Sequence, residues 1–559
     1  MSVFKCEYCG AQLVPAEDDS VVICGECGKR NVLFIPEEDD PEPFDDLSDC
    51  TADANETPQT EEKKKPEKYK AVLNSLKSLF KNKNKKKTVF IAVAAAAAAV
   101  MIGVFGIVPL AKYNSAARAY ESGDYSAAAE KFAEIIDKRD CFVRFTDAAT
   151  ALGDQLLAEG DEINAAVWYS RAARTIEAEQ IYDFNSAVMG YSYVTAGISA
   201  DGGAYYISDR ADDDKLEGLN AVSQMSRFFY GTPGINGADR SGRVILHPLD
   251  SSAAVYLSDE MRYALEEETG VRNMLCDTRI SDGIHYIVLL KDDGTVKVIS
   301  DGEKPLTSVE DWSMIKTLKD GRSKIFGIDY SGKLFIAYES DTDEDDRYDI
   351  TSFPAVSRVV ETGNALVGLT LNGRLAVAYA NTEKSFSGLE KLKDIADIAV
   401  DNDILAVTFR NGSVKAFEVP NWISDGKTAG ASKIRKAVKE ISSWKNIVRI
   451  RFASGGVYGI RYDGTAEYVS TDIRYNAEKE KYVFSANRDI AKQVKGWTDI
   501  VDVIPCVSHA VGVRSDGTLV SAGSGDYLSK EYIAPDSDAY TFVKTHGGVY
   551  TDVSEWTLW

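Results

Sequence analysis

Apolar and polar residues follow three rhythms along this 559-residue chain, and each predicts a different element. From Thr88 to Ala111 no charge interrupts the sequence. A helix of that length spans about 36 Å at 1.5 Å per residue, more than the roughly 30 Å hydrocarbon core of a bilayer, so residues 88–111 are expected to cross a membrane once. Residues 112–182 show helical spacing, with small residues and aromatics taking alternate places: Ala117, Tyr120, Gly123, Tyr125, Ala128 and Phe132, then Ala158, Gly160, Ala165, Ala166, Tyr169 and Ala172. From 183 to the end, short apolar runs alternate with turn signals, which predicts an all-β region.

That β region repeats. Trp444 to Ile450 (WKNIVRI) is followed by Val457 to Thr465 (VYGIRYDGT), and Trp497 to Val503 (WTDIVDV) by Ala510 to Leu519 (AVGVRSDGTL). Further turns stand at Asp293-Gly294-Thr295, Ser331-Gly332-Lys333, Asn372-Gly373-Arg374 and Asn411-Gly412-Ser413, each offering a glycine that can take φ > 0 in a tight hairpin. The turn glycines Gly294, Gly332, Gly373, Gly412, Gly464 and Gly517 are separated by 38, 41, 39, 52 and 53 residues, the length of a propeller blade. Degenerate copies precede them at Asp201-Gly202-Gly203 and Ser241-Gly242-Arg243. Dividing the region by about 50 residues per blade predicts about seven blades.

These motifs resemble the regulator of chromosome condensation repeat family over roughly residues 190–559. The resemblance implies a β-propeller that presents loops to protein partners. Some members of that family exchange guanine nucleotide on a small GTPase, but no exchange-site motif is recognisable here. The helical stretch resembles tetratricopeptide repeats; with two copies where such arrays need three or more, it is expected to pack on its neighbour as a short stalk.

Charge and cysteine usage add the N-terminal part. The chain carries a formal charge of −23, which argues against general nucleic-acid binding. Acid is concentrated early, at Glu37-Glu38-Asp39-Asp40 and Asp45-Asp46, and gives way to a basic run ending in lysines 81, 83, 85, 86 and 87. By the positive-inside bias those lysines, set against a lone Lys112 beyond the span, hold the N-terminal side in the cytoplasm. Val72, Leu73, Leu76, Leu79 and Phe80 recur at helical spacing among Lys70, Lys77 and Lys81, a pattern that suits either contact with acidic headgroups or a simple topology signal. Cys6, Cys9, Cys24 and Cys27 form two Cys-x2-Cys pairs separated by 14 residues. Four thiolates at that spacing can hold one Zn²⁺ tetrahedrally, and a closed site of that kind is structural. Residues 1–35 resemble the zinc-ribbon family. Thiols that stay reduced belong in the cytosol, in agreement with the lysines.

No catalytic constellation is visible. His247, His285, His509 and His546 lie far apart, and the acidic run Asp341 to Asp346 lacks the glycine and terminal glutamate of an EF-hand. The expected architecture is multidomain: a zinc ribbon (1–35), an acidic disordered linker (36–68), a basic juxtamembrane segment (69–87), a transmembrane helix (88–111), a helical stalk similar to tetratricopeptide repeats (112–182) and a propeller (183–559). It reads as a bacterial single-pass membrane protein with a structural zinc in the cytosol. Its extracytoplasmic propeller would bind a protein or glycan, the ribbon a cytosolic protein. The alternative is an envelope enzyme acting on polysaccharide through carboxylates on the propeller face.

Overall fold

The computed structural model describes four short strands within residues 4–32, most of residues 108–523, and Leu558. Two compact units result, residues 1–112 and 113–559. In the first, Phe4–Lys5 pairs antiparallel with Gln12–Leu13, and Val21–Ile23 with Arg30–Val32. Each hairpin therefore encloses one Cys-x2-Cys pair, although the cysteines themselves lie outside the described residues, as do the acidic linker, the basic segment and all but the end of the apolar stretch 88–111. Among the described residues no helix is long and apolar enough to cross a membrane.

The second unit is a ring of small antiparallel sheets, a propeller. Blade 1 (188–215) has four strands. Blades 2 to 8 (222–248, 271–300, 315–338, 356–379, 395–418, 447–470 and 500–523) have three each. The first strand of every blade packs on the blade before it, and that of blade 1 on blade 8, which closes the ring. Eight blades thus stand among the described residues, where division by length predicts about seven. The turns already number eight when the two degenerate copies are included. Division fails because the repeat is close to 40 residues, lengthened three times by an inserted helix. Asp259–Glu266, Ala429–Ile441 and Arg488–Lys495 fall after blades 2, 6 and 7, where the turn glycines are 52, 52 and 53 residues apart.

The turn glycine joins one blade to the next. Its carbonyl accepts the N–H of the first residue of the following blade: Ile315 on Gly294 at 2.9 Å, Val356 on Gly332 at 2.8 Å, and Ile395, Ile447 and Ile500 on Gly373, Gly412 and Gly464 at 3.0 Å. At blade 8 the same place is taken by Leu558, whose N–H reaches Gly517 at 3.0 Å. The approach is too close for a side chain: a Cβ on Gly464 would lie 2.5 Å from the Asp499 Cα, and one on Gly294 2.9 Å from that of Met314. Aspartate or asparagine closes the turn, as where Asp463 Oδ1 accepts from the Thr465 N–H at 3.0 Å and its hydroxyl at 2.6 Å.

A second contact explains the Trp and Val-Gly motifs together. Trp312, Trp444 and Trp497 each precede a first strand by three residues and lie over a glycine of the middle strand, Gly327, Gly459 and Gly512, where a Cβ would meet the indole at 2.7, 2.7 and 3.1 Å. In blade 5 Phe353 covers Gly368 in the same way. Blades 3 and 6 have Glu268 and Leu392 before the strand, and Leu289 and Val407 in place of the glycine.

The helical segment belongs to this unit and is more than a spacer. Helices α1 (Val108–Glu121), α2 (Tyr125–Ala133), α3 (Cys141–Ala158), α4 (Glu162–Arg171) and α5 (Thr175–Ile181) follow one another, with α2 to α5 packed in successive pairs. Left-handed Gly123 and Gly160 end α1 and α3, and Asp124 and Asp161 cap α2 and α4 by accepting from the Ala127 and Asn164 N–H groups at 3.2 Å. Phe132, Phe142 and Phe145 share a core with Ile460, Trp497 and Ile500 of the last blades. Docking on the neighbour, expected from the low repeat number, is what the helices do.

The two kinds of left-handed glycine should respond differently to substitution. Gly123→Ala, at φ +80° with open space around it, should cost only the backbone penalty of about 1–2 kcal/mol. Gly464→Ala adds a clash with the next blade and should cost at least about 3 kcal/mol, read by denaturant unfolding of the full chain.

Candidate functional site

The first strands of blades 3 to 8 share a bulge after their first residue, so that the third residue of each resumes pairing out of step. Around blades 5 to 8 that third residue alternates in sign: Arg358, Asp397, Arg449, Asp502. Arg449 and Asp502 are fully buried and Asp397 is nearly so. Charges in such places persist only when paired. Arg358 Nε lies 3.3 Å from Asp397 Oδ1. Asp502 bonds Arg449 Nη1 through Oδ2 and receives Arg451 Nε and Nη2 at 2.9 and 3.1 Å.

Helix α5 brings a third carboxylate into this ring of charges. Glu179 Oε2 accepts from Arg358 Nη2, and Oε1 from Arg451 Nη2, so one carboxylate is gripped by guanidinia from blades 5 and 7. The start of the helix is tied as well, Thr175 O accepting from Arg449 Nη2 at 3.4 Å. Burial works against ionisation of Glu179, but Arg358, Arg451 and Arg449 together hold its pKa far below the usual carboxylate range. Lys319, fifth in the first strand of blade 4, is open to solvent by surface area and donates to Val359 O at 3.2 Å. The protein bulk around it, followed by Arg358 and Arg451, lowers its pKa. Arg449 Nε and Asp397 Oδ2 are buried with no hydrogen-bond partner.

This centre fixes charge: Asp397, Asp502 and Glu179 are each paired with a guanidinium. Among the described residues a carboxyl held well above its ordinary range stands elsewhere. Asp401, in the hairpin of blade 6, accepts from the Asp403 and Ile404 N–H groups at 2.8 Å, and burial pushes its pKa up to about 6. Its backbone carbonyl takes the Thr362 hydroxyl at 3.1 Å and its carboxylate the Thr471 hydroxyl at 3.4 Å, so it ties three blades together.

The residues singled out in the sequence do not converge here. Cys6, Cys9, Cys24 and Cys27 lie outside the described residues, as do His285 and His546. His247 is on the last strand of blade 2. His509 is buried in blade 8, its Nε2 2.7 Å from the Thr195 hydroxyl of blade 1, and burial lowers its pKa to about 4, which makes it a neutral link across the ring closure. In the acidic run, Asp343, Glu344 and Asp346 are exposed around a short 3₁₀ turn. Among the described residues no cluster of ligating side chains could hold a metal. Sequence reading missed the charged centre, although its trace is present: Arg449 and Asp502 interrupt the otherwise apolar IVRI and IVDV runs.

No family model matches the chain, and no curated protein does. Among solved structures it is similar to BamB from Moraxella catarrhalis, at 13% identity over 50% of this chain and 80% of that one with a TM-score of 0.29. It is similar to the CRINKLY WD40 ectodomain of the Arabidopsis thaliana receptor kinase ACR4, at 12% identity over 61% and 95% with a TM-score of 0.29. It is also similar to Prp20p from Saccharomyces cerevisiae, at 12% identity over 40% and 61% with a TM-score of 0.26.

Two pH dependences follow from these geometries. Because the folded pKa of Glu179 is depressed, its stabilisation is complete above the unfolded value of 4.5 and is lost as pH falls below it. Glu179→Gln should therefore cost about 2–4 kcal/mol at pH 7, and the gap to wild type should close on acidification below pH 4.5. Asp401 has the opposite sign: its contribution is full below 3.8 and is lost as pH rises through about 6. Asp401→Asn, which keeps the acceptor for both N–H groups, should melt above wild type at pH 7.5 and level with it near pH 4.

Proposed function

We propose that the chain is a single-pass membrane-anchored binding protein, not an enzyme. A cytosolic ribbon with structural zinc would be joined through one membrane helix to an extracytoplasmic propeller similar to the regulator of chromosome condensation family, which recognises a protein or glycan partner. The observation that carries the reading is the uncharged stretch from Thr88 to Ala111 with its lysine cluster on one side only, followed at once by the helices that pack on the propeller. The position of helix α5 narrows where the partner docks. Since Glu179 and Thr175 engage the first strands of blades 5 and 7, the remaining surface for a partner is the blade faces and their loops, which a rigid ring holds in place.

Two strand pairs, each with one Cys-x2-Cys pair in the sequence between its strands, support the zinc reading, because a zinc ribbon carries its two knuckles in such turns. Cys6, Cys9, Cys24 and Cys27 would hold the ion. Zinc bound there supplies folding energy to a module too small for its own core. The acidic residues beyond Ile35 favour a protein contact for the ribbon over nucleic acid.

Protease treatment of intact cells, followed with an antibody to the C-terminus, tests the topology. A large resistant fragment released from outside is expected; protection until the membrane is broken would invert the orientation. In parallel, the purified full chain should contain one zinc per molecule by elemental analysis, and Cys6→Ser should abolish it without changing the melting of the propeller.

A further inference from the structure

The binding geometry at the centre of the ring does not depend on helix α5 for its construction. Asp397 orients Arg358 through its Nε, leaving Nη2 to face Glu179. Asp502 orients Arg451 through Nε, and Arg451 Nη2 likewise reaches Glu179. Two guanidinia set by the blades therefore converge, one on each oxygen of a single carboxylate, the arrangement that recognises carboxylates strongly. The charge count agrees. With Glu179 removed, the blades bring Lys319, Arg358, Arg449 and Arg451 against Asp397, Asp502 and, beside Lys319, Asp320, an excess of one cation that Glu179 neutralises. The site is reachable: the Glu179 side chain keeps 23% of its surface exposed, and Lys319 beside it is open to solvent.

We infer that the centre of the propeller is a receptor for one carboxylate, built by blades 5 to 8, and that Glu179 of helix α5 is its tethered resident ligand. A free monocarboxylate and the helix compete for the same two guanidinia. Because the tether is covalent, the resident wins while α5 is docked, and a ligand carboxylate is taken up when the Glu179 side chain is withdrawn. This holds whichever side of a membrane the propeller faces.

The test uses the purified full chain in detergent and acetate as the probe. Glu179→Ala should melt several degrees below wild type in chloride. Acetate should raise its melting temperature saturably, with a half-point on the order of millimolar, as expected for so small a ligand. Acetamide should have no effect, and wild type should respond to neither. Glu179→Gln, which keeps the volume of the side chain and the same excess of cations, is run beside it and should show a smaller acetate-dependent rise. An equal rise with chloride or phosphate at matched ionic strength would mean general screening and would overturn the proposal. So would an equal rise in wild type, or the absence of any acetate-specific rise in both variants.

Discussion

The contact on which the rest of this propeller depends is the hydrogen bond from the first N–H of one blade to the turn glycine of the blade before. It is repeated at Gly242, Gly294, Gly332, Gly373, Gly412 and Gly464, each time at 2.8–3.0 Å. The donor lies directly after a residue held against the glycine, in most cases itself left-handed: Gly270, Met314, Asp394, Asn446 and Asp499. That residue's carbonyl in turn accepts an N–H from its own blade, as Asp394 does from Arg410 at 2.8 Å. Left-handed non-glycine residues cost free energy and persist only where their surroundings demand them. Here the demand is to turn the chain from one blade into the next while satisfying two backbone groups that the ring buries. Leu558 makes the same bond to Gly517, in the place that the first residue of blade 1 would take if the joint were repeated at the ring closure.

With the blades so joined, the inner ends of their first strands have fixed positions, and this makes buried charge at the centre tolerable. A carboxylate and a guanidinium taken out of water gain from each other only if the geometry is good and further hydrogen bonds fill the remaining sites. The bulge shared by blades 3 to 8 places the third residue of each first strand equivalently, so alternating Arg358, Asp397, Arg449 and Asp502 meet as neighbours of opposite sign. Arg451 also bonds Asp502 and Lys319 has Asp320 near it, yet the blades together hold one cation more than they have carboxylates, and helix α5 brings the further carboxylate, which Arg358 and Arg451 share. The helical segment is thus bound to the ring by apolar packing at Phe142 and Phe145 and by an ionic contact at Glu179.

What could be read in the sequence was what is local. A turn residue, a glycine with φ > 0 and a tryptophan three residues before a strand each leave a mark within a few positions, and these marks place every blade from the third onward. The pairing of Trp444 with Gly459 and of Trp497 with Gly512 was also visible as a co-occurrence, and the structure supplies its cause in the indole lying where a Cβ would be. Blade number was recoverable from the turns but not from length, because helices inserted after blades 2, 6 and 7 have no bearing on the blade repeat. The charged centre was not legible, since Glu179 finds partners 179 and 272 residues away. No period in the chain announces such a contact.

The signal that could have shown it is the break in a pattern. A first strand whose neighbours on both sides are apolar should carry valine or isoleucine at its third position; Arg449 and Asp502 stand there in adjacent blades with opposite charge, at 0% exposure. Aligning the blades on their bulges turns two isolated oddities into an alternation of four, and an alternation implies contact between neighbours. The same alignment exposes the imbalance, because Arg451 and Lys319 at the fifth position have no acidic counterpart in Val360, Ala399 or Ile504. A ring whose buried guanidinia Arg358, Arg449 and Arg451 face only Asp397 and Asp502 has room for one more anion from outside its own repeats. In this chain helix α5 provides it, an ionic contact that adds to the apolar packing joining the helices to the propeller in one structural unit.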